Sequence, residues 1–432
     1  MMNVLMFGWE FPPFISGGLG VACRGIAEGL TQQGVKLSFV LPTTRGQAIE
    51  AGFRILAADE VRLSAISKKA LQKLSSRLEE FEAHFSGASP YATGSYSPAG
   101  QAAMLREEQI QRVFGPGNRS SVLDFSGNYG RNLNAEVAQY SVIGEFLGLT
   151  EEFDIIHAHD WLTFPAGVRA KMASGKPLVV HVHATEYDRS GDSMNMAVYD
   201  IEKNGMDQAD KIIAVSYYTK NIIVNRYGIH PDKVAVVHNA VDRERGAARG
   251  NVRKPLNEKI VLFLGRVTMQ KGPDYFLETA HRVLRVLKNV RFVMAGSGDM
   301  LPRLITRMAS LKIADRFHFT GFLRGIDVET MYAMSDLYVM PSVSEPFGLT
   351  AFEALLYDVP LILSRQSGVS EILKDAVLVD FWDVDKLADR IVQLLTNETL
   401  ARTIVDRCKE QVRHIGWENA GYRIKQVYES LL

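Results

Sequence analysis

The chain has 432 residues, 47% of them hydrophobic, and its 49 basic residues are balanced by 49 acidic ones. This length exceeds what a single hydrophobic core usually serves, so we expect two domains that fold independently. The balance of charge and the lack of long runs of like charge argue against binding to nucleic acid or to a membrane surface. The first residues have no basic head and no later apolar run approaches membrane length, which predicts a cytoplasmic protein without a membrane span.

The two cysteines, Cys23 and Cys408, are far apart in the sequence and do not have the spacing of metal ligands. So few cysteines are typical of a reduced compartment, in agreement with a cytoplasmic location. We expect neither cysteine to be functional.

Short β-branched segments alternate with helical patterns, which is typical of parallel sheets covered by helices. A polar segment rich in Arg, Gly, Asn and Pro, at about 242–258, separates two sets of such segments. We therefore predict two doubly wound, Rossmann-like α/β domains that face a cleft, at 1–248 and 249–432, with the last helix packing back on the first domain. The predicted strands are 4–7, 36–41, 154–157, 178–182, 211–215, 234–237, 259–264, 290–294, 316–319, 336–340, 359–363 and 376–379.

Residues 59–135 interrupt this alternation with a helical pattern, a loop rich in Gly and Pro, and a second helical pattern. The segment is predicted to be an insertion, and insertions in this architecture lie at the rim of the cleft. A surface excursion and a substrate-binding role are both compatible with its sequence. The loop holds Tyr91 and Tyr96, and aromatic rings at a cleft rim often stack on the faces of sugars.

Polar groups follow several strands of the first half, where parallel sheets bind their ligands. A glycine turn, Gly17-Gly18, comes after the first strand, and it would let backbone N–H groups approach a phosphate or a sugar. Asp160 follows the third predicted strand within "HAHDW", and His183 follows the fourth. For these polar strand ends a core role and a site role both remain open on the residues alone.

Two cations flank the end of the first strand in the second half. Arg266 follows that strand directly, and Lys271 lies in the turn after it. A guanidinium fork and a compact ammonium group together suit the oxygens of a diphosphate.

Two carboxylates surround a predicted helix start. Glu345 precedes a proline and so avoids the helical conformation, which predicts a helix that begins between 347 and 349, with Glu353 about a turn and a half inside it. The free N–H groups of Phe347, Gly348 and Leu349 would form an anion site between the carboxylates. This order of acceptor, donor and acceptor groups matches the sugar, the diphosphate and the ribose of a nucleotide sugar.

Together these motifs resemble the retaining glycosyltransferases of family 4, which have the GT-B fold, and among them the glycogen and starch synthases. The resemblance covers nearly the whole chain, through the glycine turn, "HAHDW" at 157–161, "HVHATEYDRSG" at 181–191, "GRVTMQKG" at 265–272 and the glutamate pair. It implies retaining transfer of a hexosyl group, first of all glucosyl, from a nucleoside diphosphate sugar to a glucan or oligosaccharide, and we expect such an acceptor to run near Tyr91 and Tyr96. Neither half offers an acidic cluster suited to a metal, so we expect no metal and no cofactor.

The resemblance also implies individual roles. In that family the donor diphosphate is bound by residues that match Arg266 and Lys271, the donor sugar by the match of Glu345, and the ribose by the match of Glu353. The family's histidine beside the transferred sugar matches His183. We therefore predict catalytic roles for His183, Arg266, Lys271, Glu345 and Asp160, and substrate-binding roles for Gly17, Gly18, Phe347, Gly348, Leu349 and Glu353.

The chain departs from the starch synthases at two places. Ile15-Ser16 stand where those enzymes have Lys-Thr before the glycine turn, which removes a cation near the donor, and many of them lack a match for Glu353. The donor therefore stays open between ADP-glucose and UDP-glucose. A nucleotide-sugar epimerase of the same fold, and a family 4 enzyme with a small-molecule or lipid-linked acceptor, remain alternatives. A dinucleotide oxidoreductase is disfavoured because residues 296–299 are only a fragment of G-x-G-x-x-G.

Overall fold

The structure is a computed structural model that describes residues 1–14, 17–63, 122–130, 132–241 and 257–432. The predicted boundary at 248/249 and most of the predicted insertion, with Tyr91 and Tyr96, lie outside the described residues. The described part contains two parallel sheets, one of seven strands and one of six. No helix in these ranges is long and apolar enough to cross a membrane.

The first sheet is entirely parallel and has helices on both faces. Its strand order is β3-β2-β1-β4-β5-β6-β7. The strands are β1 (Asn3–Phe7), β2 (Lys36–Leu41), β3 (Arg54–Ala57), β4 (Ile155–His159), β5 (Leu178–Val182), β6 (Lys211–Ala214) and β7 (Val234–Val236). The helices are α1 (Gly18–Gln32), α2 (Leu133–Thr150), α3 (Phe164–Ser174), α4 (Glu186–Ser190), α5 (Met196–Gln208) and α6 (Tyr217–Tyr227).

The second sheet repeats this plan in the order β10-β9-β8-β11-β12-β13. Its strands are β8 (Lys259–Leu264), β9 (Val290–Ala295), β10 (Phe317–Gly321), β11 (Leu337–Met340), β12 (Leu361–Ser364) and β13 (Val377–Val379). Its helices are α7 (Pro273–Val286), α8 (Leu301–Ser310), α9 (Ile326–Met334), α10 (Leu349–Leu356), α11 (Val384–Thr396) and α12 (Glu398–Val412), followed by α13 (Trp417–Glu429).

The side chains of β1 show why this sheet is covered on both faces. Val4 and Met6 belong to one apolar cluster, and Leu5 and Phe7 belong to another on the opposite face. Successive side chains of a strand point to opposite faces, so a strand with four buried apolar residues in a row must be a central one. The predicted α/β fold class is confirmed, and each of the twelve predicted strands has a counterpart within two residues at either end. The short edge strand Arg54–Ala57 was not predicted.

The last helix, α13, lies against α1, the first helix of the chain. Trp417 packs on the glycines of α1, because a Cβ atom at Gly25 would come within 2.1 Å of the indole ring and one at Gly29 within 2.1 Å of the Trp417 carbonyl oxygen. Ala420 and Ile424 are buried in the same cluster as Val4 and Met6. The end of the chain thus completes the cover of the first sheet.

The order of the strands in each sheet indicates where the cleft lies. In the first sheet the order reverses between β1 and β4, and in the second between β8 and β11. Open α/β sheets bind ligands outside the carboxyl ends of strands at such a reversal. These four strand ends carry the glycine turn, Asp160, Arg266 and the segment that leads to Glu345.

Candidate active site

The turn after β8 is held by close backbone contacts. Gly272 has a φ of +67°, and a Cβ atom there would lie 2.0 Å from the Pro341 carbonyl oxygen. Gly296, with a φ of +143°, leaves even less room beside the carbonyl of Gly265. These contacts fix the backbone on both sides of Arg266, whose Nη2 donates to the Gln270 side chain at 3.1 Å. The glycines near 296 therefore serve close packing.

The carboxylate of Glu345 is the buried centre of the site. Its side chain is 7% exposed, and Lys271 Nζ lies 2.8 Å from Oε1 and 2.6 Å from Oε2. Ser342 Oγ donates a further hydrogen bond of 3.0 Å. The carbonyl of Gln270 accepts from the N–H groups of Val343 and Ser344, so the turn with Lys271 and the segment with Glu345 are joined through the backbone. The structure thus brings two predicted catalytic residues into direct contact.

Helix α10 begins at Leu349, within the predicted range. Its N-cap is Gly348, with a φ of +107° that an L side chain rarely adopts. Within the described residues, the N–H groups of Phe347, Gly348 and Leu349 have no hydrogen-bond acceptor, as expected at a helix start that can receive an anion. Glu353, one turn further, accepts a hydrogen bond of 3.1 Å from the Tyr332 hydroxyl.

On the opposite side of the cleft, Asp160 holds the backbone at His183. Its Oδ1 accepts from the N–H of His183 at 2.6 Å and from that of Ala184 at 3.3 Å. Asp160 itself has a φ of +57°, an unusual conformation for a residue other than glycine. The contact explains why an aspartate ends β4: its short carboxylate reaches the first amides after β5. Asp160 therefore acts on the backbone of His183, the residue predicted to lie beside the sugar.

Burial governs the protonation of both residues. It raises the pKa of Asp160 to about 7, although the hydrogen bonds from the amides of His183 and Ala184 act in the other direction. Burial lowers the pKa of His183 to about 3, so its imidazole is neutral at neutral pH. A neutral imidazole beside the cleft can donate one hydrogen bond and accept another.

Four imidazoles stack behind the site, on one face of the first sheet. The ring centroids of His157 and His159 are 4.3 Å apart, and those of His181 and His183 are 4.4 Å apart. His157, His159 and His181 bring ring nitrogens within 4.8 Å of one another, as do His159 and His183 with the sulfur of Cys23. The rings of His157 and His181 are only 4° from parallel, however, so their in-plane lone pairs do not converge on one point. The stacked group of His157, His159 and His181 therefore does not fit a metal centre.

Ser344 connects the two sides of the cleft. Its Oγ donates to Oδ1 of Asp188, which caps the first turn of α4, and lies 2.9 Å from the hydroxyl of Tyr218 in α6. Two of these groups are close in sequence to predicted site residues: Ser344 directly precedes Glu345, and α4, which contains Asp188, begins three residues after His183. The glycine turn also reaches across, since a Cβ atom at Gly18 would lie 3.7 Å from Leu349 Cδ1.

Glu371 makes a second connection between the two sides. Its carboxylate accepts from the N–H groups of Tyr217 and Tyr218 at the start of α6, at 3.0 and 2.6 Å, and pairs with Nε2 of His238 at 2.8 Å. Burial raises the pKa of Glu371, but the hydrogen bonds from His238 and the two amides outweigh it and bring the pKa below its ordinary value. The ionised carboxylate therefore stabilises the docking of one side on the other.

Contacts across the two halves place the start of α10 against the glycine turn at Gly18 and the segment before Glu345 against α4, whereas Arg266 and Glu353 contact residues of their own half. Three of the residues that connect the halves, Asp188, Ser344 and Glu371, cannot be identified from the sequence. Their pairing spans more than 150 residues of chain, and no local pattern indicates such a contact. Only the position of Asp188 within a quoted motif, and of Ser344 beside Glu345, could have drawn attention to them.

Comparison with known proteins agrees with this arrangement. Residues 244–411 match the family "Glycosyl transferases group 1", and residues 97–245 match "Glycosyltransferase Family 4". The chain is similar to the uncharacterized glycosyltransferase MJ1607 of Methanocaldococcus jannaschii, with 27% identity over 99% of this chain and 98% of the relative. It is also similar to D-inositol 3-phosphate glycosyltransferase of Mycobacterium tuberculosis, with 30% identity over 56% of this chain and 54% of the relative.

A solved structure with the same fold is that of Anabaena HepE in complex with UDP-glucose. It superposes with a TM-score of 0.67 and 17% identity, and the match covers all of both chains. At this identity the likeness establishes the fold and not the ligand.

Proposed function

The chain belongs to family 4 of the glycosyltransferases with the GT-B fold, and from that premise we propose that it transfers a hexosyl group, with retention, from a nucleoside diphosphate sugar to a hydroxyl of a carbohydrate acceptor. The observation that carries the proposal is the contact of Lys271 with Glu345 beside the amides that start α10. A cation, a carboxylate and free N–H groups at one helix start match the diphosphate and hydroxyls of such a donor.

The reaction we propose breaks the bond between the anomeric carbon and the leaving phosphate oxygen on the same face where the acceptor oxygen forms its new bond. The proton of the acceptor hydroxyl passes to the leaving phosphate. Arg266, Lys271 and the amides of Gly348 and Leu349 stabilise the negative charge that develops on the diphosphate. These groups are already fixed by the backbone contacts around Gly272 and Gly348, so little reorganisation is needed in the transition state.

The donor we propose is UDP-glucose or ADP-glucose. Glu345 would hold the hydroxyls of the transferred sugar and Glu353 those of the ribose, in the order in which they follow the chain. The complex of Anabaena HepE with UDP-glucose favours the uridine nucleotide as the first donor to test. Closure of the two sides through Ser344 would exclude water and protect the donor from hydrolysis.

For the acceptor we propose first a glucan or oligosaccharide, as the resemblance to glycogen and starch synthases implies. A second candidate is a small phosphorylated polyol, because the mycobacterial relative is named for inositol 3-phosphate. An exposed cation at the end of β2 supports the second candidate: Arg45 lies 4.9 Å from the ring centre of Phe14 and donates to Asn128 at 2.9 Å. A phosphate on the acceptor would require such a cation near the glycine turn.

The test measures nucleotide release from UDP-glucose and ADP-glucose, alone and with each acceptor class, namely glycogen, maltooligosaccharides, inositol phosphate and hexose phosphates. An α-linked product whose formation matches nucleotide release supports the proposal. Interconversion of the donor into an epimer without a transfer product would identify an epimerase instead. Arg45→Ala separates the acceptor classes, since it should weaken only a phosphorylated acceptor.

A further inference from the structure

The four stacked histidines form two pairs on neighbouring strands. His157 and His159 lie on β4, and His181 lies on β5 with His183 just after it; His159 and His181 are register partners. His157, His159 and His181 are at most 1% exposed, and only His183 is partly exposed. If His183 lies beside the donor sugar, the neighbours of its ring determine which hydrogen bonds it can offer to that sugar.

His159 is the hydrogen-bond partner of the His183 ring. Its Nδ1 lies 2.9 Å from Nε2 of His183, a normal hydrogen-bond distance between two ring nitrogens. Both rings are neutral because burial lowers both pKa values. Each neutral imidazole carries one proton on one of its two nitrogens, so one of the two rings donates and the other accepts.

The other nitrogen of His159 decides which ring donates. Its Nε2 is buried and has no hydrogen-bond partner within the described residues. If His183 were the donor, the proton of His159 would sit on this nitrogen as a buried, unpaired N–H. If His159 is the donor, the same nitrogen carries only a lone pair. Buried unpaired N–H groups are rarer in proteins than acceptors left unpaired, so the second arrangement is favoured.

We propose that His159 is a positioning residue that donates from Nδ1 to Nε2 of His183 and so fixes His183 as the Nδ1–H tautomer. The inference rests on the proposed function for its catalytic meaning, but not for the tautomer itself. With Nε2 occupied, the nitrogen that His183 offers to the cleft is Nδ1, and it offers a proton and not a lone pair. His183 is then a hydrogen-bond donor to an oxygen of the donor sugar and does not act as a base.

Two further contacts hold His183 in this position. Asp160 accepts from its backbone N–H at 2.6 Å, and His181 stacks on its ring at 4.4 Å with planes 16° apart. These contacts fix the backbone and the ring plane of His183, but they do not determine which ring nitrogen carries the proton. Among the described side chains, His159 is the one that makes a hydrogen bond to a ring nitrogen of His183, so it is the group that can select the tautomer.

The first test reads the tautomer without any substrate. Nitrogen-15 labelling of histidine and long-range proton–nitrogen correlation at pH 7.5 distinguish protonated from unprotonated ring nitrogens, and His183→Asn assigns the signals. We expect Nε2 of His183 to be unprotonated and Nδ1 protonated in the native protein. A protonated Nε2 on His183 would overturn the proposal, whatever the enzyme transfers.

The second test uses turnover with UDP-glucose and the best acceptor of the panel. His159→Phe keeps an aromatic ring in the stack but removes the donor, and we expect kcat to fall at least about tenfold with the affinity for UDP unchanged. His159→Asn places an amide N–H at the same number of bonds from the backbone as Nδ1, and it should recover part of the loss. His157→Phe is the matched control, because it changes the same stack without a hydrogen bond to His183.

The outcomes of the two tests separate the two proposals. If Nδ1 of His183 is protonated as expected but no donor is turned over, the proposed function is refuted and the effect of His159 on the tautomer still holds. Equal kcat in His159→Phe and the native enzyme, or equal losses in His159→Phe and His157→Phe, would refute the positioning role.

Discussion

The ammonium group of Lys271 lies 2.6 and 2.8 Å from the two carboxylate oxygens of Glu345. The carboxylate is 7% exposed and the ammonium 21%, so each would lose a buried partner if the other were removed. A nucleotide sugar can satisfy both, because its diphosphate offers oxygens to the cation and its hydroxyls donate to the carboxylate. The pair therefore places the group that would bind the diphosphate next to the group that would bind the sugar hydroxyls.

The first prediction concerns the two cations. Lys271→Ala and Arg266→Ala should each lower turnover at saturating donor by about 10²–10³-fold, because charge develops on the leaving diphosphate during the reaction. Lys203→Ala is a matched control, since this lysine also pairs with a carboxylate, that of Asp207, but on the surface of α5. Steady-state kinetics of the three variants, with melting curves, make the measurement. Native turnover in Lys271→Ala would exclude the proposed diphosphate site.

The second prediction separates the two carboxylates of the site. Glu345→Gln removes a negative charge beside the reacting sugar. Because positive charge develops on that sugar in the transition state, the substitution should mainly lower kcat. Glu353→Gln should mainly raise the donor KM, because ribose contacts are shared by substrate and transition state. Both residues flank the start of one helix, so a general loss of stability would affect them alike. Equal kcat losses with unchanged KM in both variants would show that this division of roles is wrong.

The third prediction concerns the connection across the cleft. Ser344→Ala removes the hydrogen bonds to Asp188 and Tyr218 and leaves a buried carboxylate with one donor fewer. Such a bond to a charged group contributes about 1.5–3 kcal/mol, so kcat should fall by roughly 10–100-fold while UDP still binds. Ser370→Ala serves as the control, because its hydroxyl donates to the carbonyl of Ser367, three residues before it in the same turn. The idea fails if both variants keep native kcat.

The fourth prediction concerns metal dependence. The predicted leaving-group stabilisers are Arg266, Lys271 and backbone amides, so we expect the transferase activity to survive incubation with EDTA. The assay compares initial rates before and after the chelator is removed by dialysis, with and without added magnesium or manganese. A complete loss of activity that either metal restores would contradict the prediction, because it would mean that a metal ion neutralises the charge on the diphosphate.

The fifth prediction is a pH dependence of stability that arises from His157. Burial lowers its pKa from 6.5 to about 3, so the folded state binds fewer protons than the unfolded state between these values. Stability from the neutral ring is therefore complete above pH 6.5 and is lost as the pH falls toward 3. At pH 5 the loss from this one ring amounts to about 2 kcal/mol, at about 1.4 kcal/mol per pH unit.

The measurement is urea unfolding of the native protein and of His157→Phe at pH 7.5, 6.5 and 5. Relative to the native protein, the variant should gain about 2 kcal/mol of unfolding free energy between pH 7.5 and 5, whatever the difference between the two proteins is at pH 7.5. The buried carboxyl of Glu202, whose pKa burial raises to about 7, changes stability in the opposite direction. It is present in both proteins and cancels in the comparison. A constant difference across the three pH values would contradict the prediction.

The sequence by itself determined the fold class and the individual groups of the site. Central strands such as β1 are buried on both faces, so their apolar runs are continuous and easily recognised. Edge strand β3 was missed because it has only four residues and begins with an exposed arginine. The helix start near Gly348 followed from local rules, since a proline restricts the residue before it and glycine supplies the positive φ.

Only the tertiary structure decided how these groups meet. The contact of Lys271 with Glu345 joins residues 74 positions apart, and that of Ser344 with Asp188 joins residues 156 apart. Contacts of this kind depend on which strands are neighbours and on how the two sheets face each other, and neither is encoded in a local pattern. The same holds for His159 and His183: their two strands must lie side by side before one imidazole can set the proton of the other.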